Sequence, residues 1–329
     1  MSGTVIPEHR LRWAHGEARI IAIGAMLAEC AFALPSGPFR PFARAPWAGT
    51  IDDPEVPAHT REMGGDFVCV PFGRDGRAPA GPADWQAVMG GEPTHGLHGP
   101  AADSSWTVIE GDDDFVTWAL DYPEDMPVKR LERTIRARAD APALDFSLTI
   151  HTRAPTRTTV GLHPNFRLPE QKGRLELSAD FDFGLVHPGS LPEGSAQDFA
   201  RLDEMPFGDE THDLGHVPIA VRAVNAQLCG VRSPLRGLYL DEGAGFELDW
   251  DRNLLPSLQI WHTDGGIQAP PWNGRFRAIG LEPVIAAFDL GNAVGTRPNP
   301  INARGVPTAI ALDPERPLTV RHSVTAFAI

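Results

Sequence analysis

The segment Gly161-Leu162-His163-Pro164-Asn165-Phe166-Arg167 carries a histidine followed at once by proline. Proline has no backbone donor and restricts the residue before it, so a strand stopping there presents its imidazole to a cleft. With an ordinary pKa near ~6.5, that ring both donates and accepts protons around neutrality. Gly280-Leu281-Glu282-Pro283 repeats the arrangement with a carboxyl group, a general base wherever its surroundings raise its pKa. Each also has a plainer reading: a histidine bonded to its own loop, and a surface glutamate at a strand end.

Two further clusters invite a metal reading. Thr94-His95-Gly96-Leu97-His98-Gly99 holds two histidines three apart ahead of Trp106, and His212, Asp213 and His216 lie close together. Neither reaches the ligand count that such a site needs, so no metal is expected. Trp47, Trp106, Trp261 and Trp272 lie in or beside Gly/Pro-rich segments, where an indole face can stack on the apolar side of a sugar ring. The chain has no GxGxxG after a strand, no GxxxxGK[ST], no GxSxG and no HExxH. Dinucleotide, P-loop, lipase-type and zincin chemistry therefore find no support.

The elements that position these residues read as strands. Leu144, Phe146, Leu148 and Ile150 alternate with Asp145, Ser147, Thr149 and His151, the period of a half-buried strand. Phe246, Leu248 and Trp250 alternate likewise, and Leu318, Val320, Val324 and Ala326 share one face. Further strands are predicted at 106–110, 115–120, 157–162, 174–178, 218–224, 257–262 and 285–289. The stretches 51–61, 73–82, 188–211 and 296–306 read as loops. With 33 Gly and 32 Pro in 329 residues, long helices have little room. No repeat or composition shift marks a boundary, which favours one antiparallel β-sandwich over residues 1–329.

A formal charge of −14 and the absence of a basic run argue against nucleic acid, whose binding needs clustered positive charge. Cys30, Cys69 and Cys229 are scattered and unpaired in pattern, which fits a reducing, cytoplasmic setting. The apolar run from Ile20 to Leu34 begins late and contains Glu29, so it reads as two strands around Gly24, not as a signal or membrane segment. The sequence leaves the oligomeric state open.

In order and spacing, these segments resemble the aldose 1-epimerase (galactose mutarotase-like) family over most of the chain. The matching pieces are Ala45-Pro46-Trp47, Gly64-Gly65-Asp66-Phe67 running to Val70-Pro71-Phe72, His98-Gly99 with Trp106, and Gly161 to Phe166. They continue through Pro256-Ser257-Leu258-Gln259-Ile260-Trp261, Gly280 to Pro283, and a closing strand region from Leu312 to Phe327. The resemblance implies a large β-supersandwich that interconverts sugar anomers without a cofactor. His163 would protonate the ring oxygen and Glu282 would remove the anomeric proton. The opened aldehyde would then rotate about C1–C2 and reclose with the two groups exchanging roles. A hemiacetal needs only one acid and one base, placed on opposite sides.

The resemblance also implies that His98 binds substrate, with His95 as the alternative if the loop register shifts. It points to Trp261 in the matching segment, and to Arg74, with Arg77 nearby, as the arginine after the Pro-aromatic pair. Galactose-type members carry an Asp between the His and the Glu. Here Asp209 and Asp213 lie in that interval without the usual aromatic pair, and Asp213 is the candidate. This departure leaves the choice of sugar open, and with it the alternative of a non-catalytic carbohydrate-binding or sensing protein on the same sandwich.

Overall fold

Alternating burial, not helical periodicity, organises the chain. In Ala143–Thr152 the side chains of Leu144, Phe146, Leu148 and Ile150 are buried while those between them are partly exposed. Leu318–Ala328 pairs antiparallel on one side of that strand and Val128–Ala137 on the other. The structure, a computed structural model, describes residues 6–76, 82–88, 90, 95–191 and 197–329. Its named strands pair antiparallel, and the two principal sheets have eleven and nine strands. Among the described residues the longest helix is the six-residue Ala83–Val88, and no helix is long and apolar enough to cross a membrane.

The eleven-stranded sheet begins at the edge with Glu8–Trp13, Gly16–Ile21 and Met26–Leu34. It continues through Asp66–Cys69, Val160–Arg167, Arg277–Ile285, Ser257–Asp264 and Ala223–Cys229. The nine-stranded sheet is centred on Ala244–Trp250, Leu318–Ala328 and Ala143–Thr152. Side chains from both fill the space between them: Leu162, Phe166, Leu258 and Leu281 from the first meet Phe146, Leu148, Phe246 and Val324 from the second. Phe166 stacks on Phe246 with ring centroids 3.9 Å apart. The first sheet has a second apolar cover on its outer face, where Phe67, Cys69 and Val284 pack with Trp47 and Met63. The fold is thus the expected all-β sandwich, with both faces of its larger sheet covered around its central strands.

A buried charge cluster crosses between the layers. Arg133, from the second sheet, donates to the Asp66 carboxylate at 2.5 Å and to the carbonyls of Ala25 and Asp66. His322 Nε2 lies 3.1 Å from the same carboxylate. Burial alone would raise the Asp66 pKa, but Arg133 and His322 hold it below the usual carboxylate range. Removing one partner of such a pair strands the other charge, at a cost of roughly 3–5 kcal/mol. The cluster fixes the strand whose next residue, Phe67, stacks on His163 at 4.4 Å.

Several sequence expectations need correction. The 157–162 strand is two, Thr156–Thr158 and Val160–Arg167, paired with different partners. The 218–224 strand lies too early, since the ladder runs from Ala223 to Cys229. The 285–289 strand is instead the turn after Arg277–Ile285. The predicted 188–211 loop contains the short strands Asp198–Phe199, Met205–Phe207 and Glu210–His212. The chain does reverse at Gly24 (φ +65°), between Gly16–Ile21 and Met26–Leu34.

Candidate active site

The Val160–Arg167 strand does not end at His163. It continues to Arg167, with His163 opposite Phe67 and Pro164 opposite Asp66 on the neighbouring strand. On its other side, paired residues are found at Gly161 with Val284 and again at Asn165 with Gly280, and pairing is interrupted between them. Counting inward from both pairs brings His163 opposite Glu282. Pro164 and Pro283, which cannot donate to a ladder, both fall within the interruption. The prolines therefore open the ladder at the position of the two ionisable side chains, and do not stop the strand.

The row extends across the sheet, since Glu282 lies opposite Gln259 and Gln259 opposite Gln227. His163 Nε2 and Glu282 Oε1 are 3.3 Å apart. Neither Glu282 oxygen, nor His163 Nδ1, nor Gln259 Oε1 has an aligned hydrogen-bond partner, although all are buried. Buried polar atoms are normally satisfied, so such a concentration beside a cavity marks a candidate binding site. These groups line a cavity of about 210 Å³ together with His59, His98, Asn225 and Asp289. Trp261 and Trp272 form an aromatic wall, edge to face at 5.6 Å.

Two constrained loops complete the cavity. His98 has φ +67° and caps the Gly99–Asp103 helix. Its N–H donates to the Gly73 carbonyl, while the Gly73 N–H donates to His98 Nδ1 at 3.3 Å. Nδ1 is therefore an acceptor and Nε2 carries the hydrogen, a neutral donor for the cavity that the ring lines. In the second loop, Phe288 has φ +50°, a sparsely populated backbone state that must be held by its surroundings. Buried Gln227 holds it, accepting the Phe288 N–H at 2.6 Å and donating to the Ala286 carbonyl. The next residue, Asp289, then reaches the cavity with Oδ1 2.9 Å from His187 Nε2.

Burial dominates the electrostatics. It pushes Glu282 well above the ordinary carboxyl range, with the Asp289 charge adding to the shift. Burial, with His59 nearby, brings His163 down to about 3. His98 is driven well below its usual value by burial, His163 and His59. Asp289 goes the other way: burial would raise it, but His187 brings it down to about 2. These shifts favour the uncharged forms of Glu282 and His163, a pairing of one proton donor with one acceptor. Moving the Glu282 proton to His163 gives the alternative allocation with the same total. The arrangement can serve a substrate whose two reacting oxygens share a carbon, since both groups open onto one cavity.

His163, Glu282, His98 and Trp261 come together here. His95 does not line the cavity; its Nδ1 contacts the Gly96 carbonyl. Arg74 is exposed and joins the loop only through its backbone N–H, which donates to the Asp289 carbonyl at 3.1 Å. Arg77 lies outside the described residues. Asp213 sits on a turn, binding the Gly215 N–H and contacting His216 Nδ1 at 2.8 Å, away from the cavity. Trp47 is buried behind Trp272, and Trp106 is buried with its N–H on the Ala101 carbonyl. Sequence reasoning passed over Asp289, His59, His187, Asn225 and the role of Gln259. Only Gln259 carried a signal, its place in the Pro256–Trp261 segment.

No protein-family model matches the chain, and no curated protein sequence does. Solved structures match it throughout. An aldose epimerase homologue from C. elegans aligns at a TM-score of 0.68 and 14% identity, covering 99% of this chain and 100% of that one. A galactose mutarotase-like protein from Clostridium acetobutylicum aligns at 0.66 and 14%, covering 99% of each. Another from Lactobacillus casei aligns at 0.63 and 14%, covering 97% and 100%. The fold of this protein is that of the galactose mutarotase-like proteins.

Proposed function

We propose that this protein is a mutarotase-type isomerase, interconverting the α and β anomers of a free aldose by acid/base ring opening and reclosure. The observation that carries this reading is the buried pair His163 and Glu282, 3.3 Å apart and lining a cavity with two tryptophan faces. A sugar ring stacked on Trp261 or Trp272 would set its ring oxygen and anomeric hydroxyl against the pair. His163 supplies the proton to the ring oxygen and Glu282 takes the one on the anomeric hydroxyl. That allocation is one proton transfer from the uncharged pair. The C1–O5 bond breaks to give the open aldehyde, rotation about C1–C2 presents its other face, and the same two groups run the steps in reverse. His98 Nε2–H donates to a sugar oxygen and Asp289 accepts from a hydroxyl. Only protons pass between protein and sugar, so the side chains present are chemically sufficient without a cofactor.

Two-dimensional exchange NMR over a panel of aldoses tests the reading directly. Wild type should accelerate anomer exchange of at least one sugar, and His163→Asn and Glu282→Gln should each lose roughly 10²–10⁴-fold of that acceleration. Retention of the wild-type rate by Glu282→Gln would refute the mechanism. Saturable sugar binding with no acceleration of any aldose would transfer the site to a carbohydrate-binding protein.

A further inference from the structure

A second concavity lies on the outer face of the eleven-stranded sheet, at its edge strands Glu8–Trp13, Gly16–Ile21 and Met26–Leu34. Register there sets Arg12 opposite Glu17 and Glu17 opposite Ala31; it also sets Arg10 opposite Arg19 and Arg19 opposite Glu29. Leu11, Ala18 and Cys30, the residues between them, belong to the core, so alternation turns the charged ones outward. Arg40 and Arg44 enter from the segment after Gly37–Phe39. The outcome is a pocket of about 250 Å³ lined by five guanidiniums against the carboxylates of Glu17 and Glu29.

Like charges directly opposite on neighbouring strands are destabilising, and the sequence compensates only part of this cluster. Glu8 lies 2.9 Å from Arg10 and 3.2 Å from Arg19, and Glu29 lies 2.8 Å from Arg19 and 3.5 Å from Arg44. Arg12 and Arg40 enter none of the side-chain ion pairs among the described residues. Arg44 Nη1 is buried without a hydrogen-bond partner. The chain as a whole carries −14, so an extended polyanion meets repulsion beyond the pocket. A small oxyanion meets only the local field within a Debye length of roughly 10 Å.

Planar guanidiniums fork onto phosphate oxygens in a way that neutral donors cannot. We propose that this pocket is a binding site for a phosphate-type oxyanion, either free phosphate or the phosphate group of a small metabolite. Arg12 and Arg40 are its uncommitted donors, and Ala31 between them leaves the room that a larger side chain would fill. The site is separate from the catalytic cavity, sharing none of its lining residues.

Isothermal titration of the full chain at low ionic strength with inorganic phosphate, and in a second arm with glycerol phosphate, tests the assignment. Wild type should bind phosphate saturably, with affinity falling as salt is added. The Arg12→Gln/Arg40→Gln double variant should bind about tenfold more weakly or worse. Glu17→Gln, which removes the carboxylate between them, should bind more tightly, and Glu282→Gln should bind as wild type does. Equal affinity for both ligands identifies the phosphate group alone as the ligand, and tighter glycerol phosphate points to a metabolite. Absence of saturable binding by wild type, unchanged binding by the double variant, or loss of binding in Glu282→Gln would each overturn the proposal.

Discussion

Asp289 contacts His187 at 2.9 Å and brings a carboxylate from the turn after Glu282 into the cavity that His163 and Glu282 line. The family resemblance implies an acid between His163 and Glu282 instead. The strained Phe288 and its clasp by Gln227 are what aim it. Burial raises the Glu282 pKa and an ionised Asp289 adds to that shift, while His187 holds Asp289 low, so the two acids shift in opposite directions.

Asp289→Asn should act on both binding and titration. Removing the negative charge lowers the Glu282 pKa, so the limb of the pH–rate profile governed by Glu282 should move to lower pH, while KM for the sugar rises. Rates of anomer exchange measured across pH check this. An unmoved profile with only lowered stability would reduce Asp289 to a structural residue.

Gly280→Ala separates activity from stability. A Cβ there would lie 2.6 Å from Glu282 Oε1 and 3.3 Å from Trp261 Cβ. The carboxylate tip can move, so the fold should lose no more than about 1 kcal/mol while kcat falls by about tenfold or more. Gly161→Ala gives the contrast, because its Cβ would meet the fully buried Phe72 ring at 2.1 Å. That ring has nowhere to retreat, and a loss of about 1–3 kcal/mol is expected. Urea unfolding alongside exchange rates reads both.

His262 governs part of the acid sensitivity. It faces the inter-sheet core between Val224 and Ile279, with neither ring nitrogen partnered, and burial brings its pKa to about 4. In the unfolded chain the ring takes up a proton below its ordinary 6.5, whereas the folded chain does not until about 4. Stability therefore falls as pH drops through that window. His262→Leu should stabilise by ~1 kcal/mol at neutrality, by removing unpaired buried polar atoms. Its advantage over wild type should widen at pH 5. A variant whose advantage does not grow on acidification would contradict this account.

The sequence by itself determined the layered β-architecture, and its resemblance to a known family singled out the two residues of the central pair. Alternation such as Leu144 to Ile150 records burial on one face locally. His163-Pro164 and Glu282-Pro283 each advertise a titratable group beside an interrupted ladder. What only the tertiary structure decided is which distant segments meet. Register across four strands makes neighbours of Phe67, His163, Glu282 and Gln259, residues up to 215 positions apart in the chain. Asp213 looked suitable because it lies in the right interval, yet its turn binds it to His216. Asp289 carried no local mark, because the conformation that delivers it is imposed by Gln227, some sixty residues earlier. Short-range periodicity encodes which face of a strand is buried, whereas the composition of a site depends on long-range pairing and loop closure, which no local window contains.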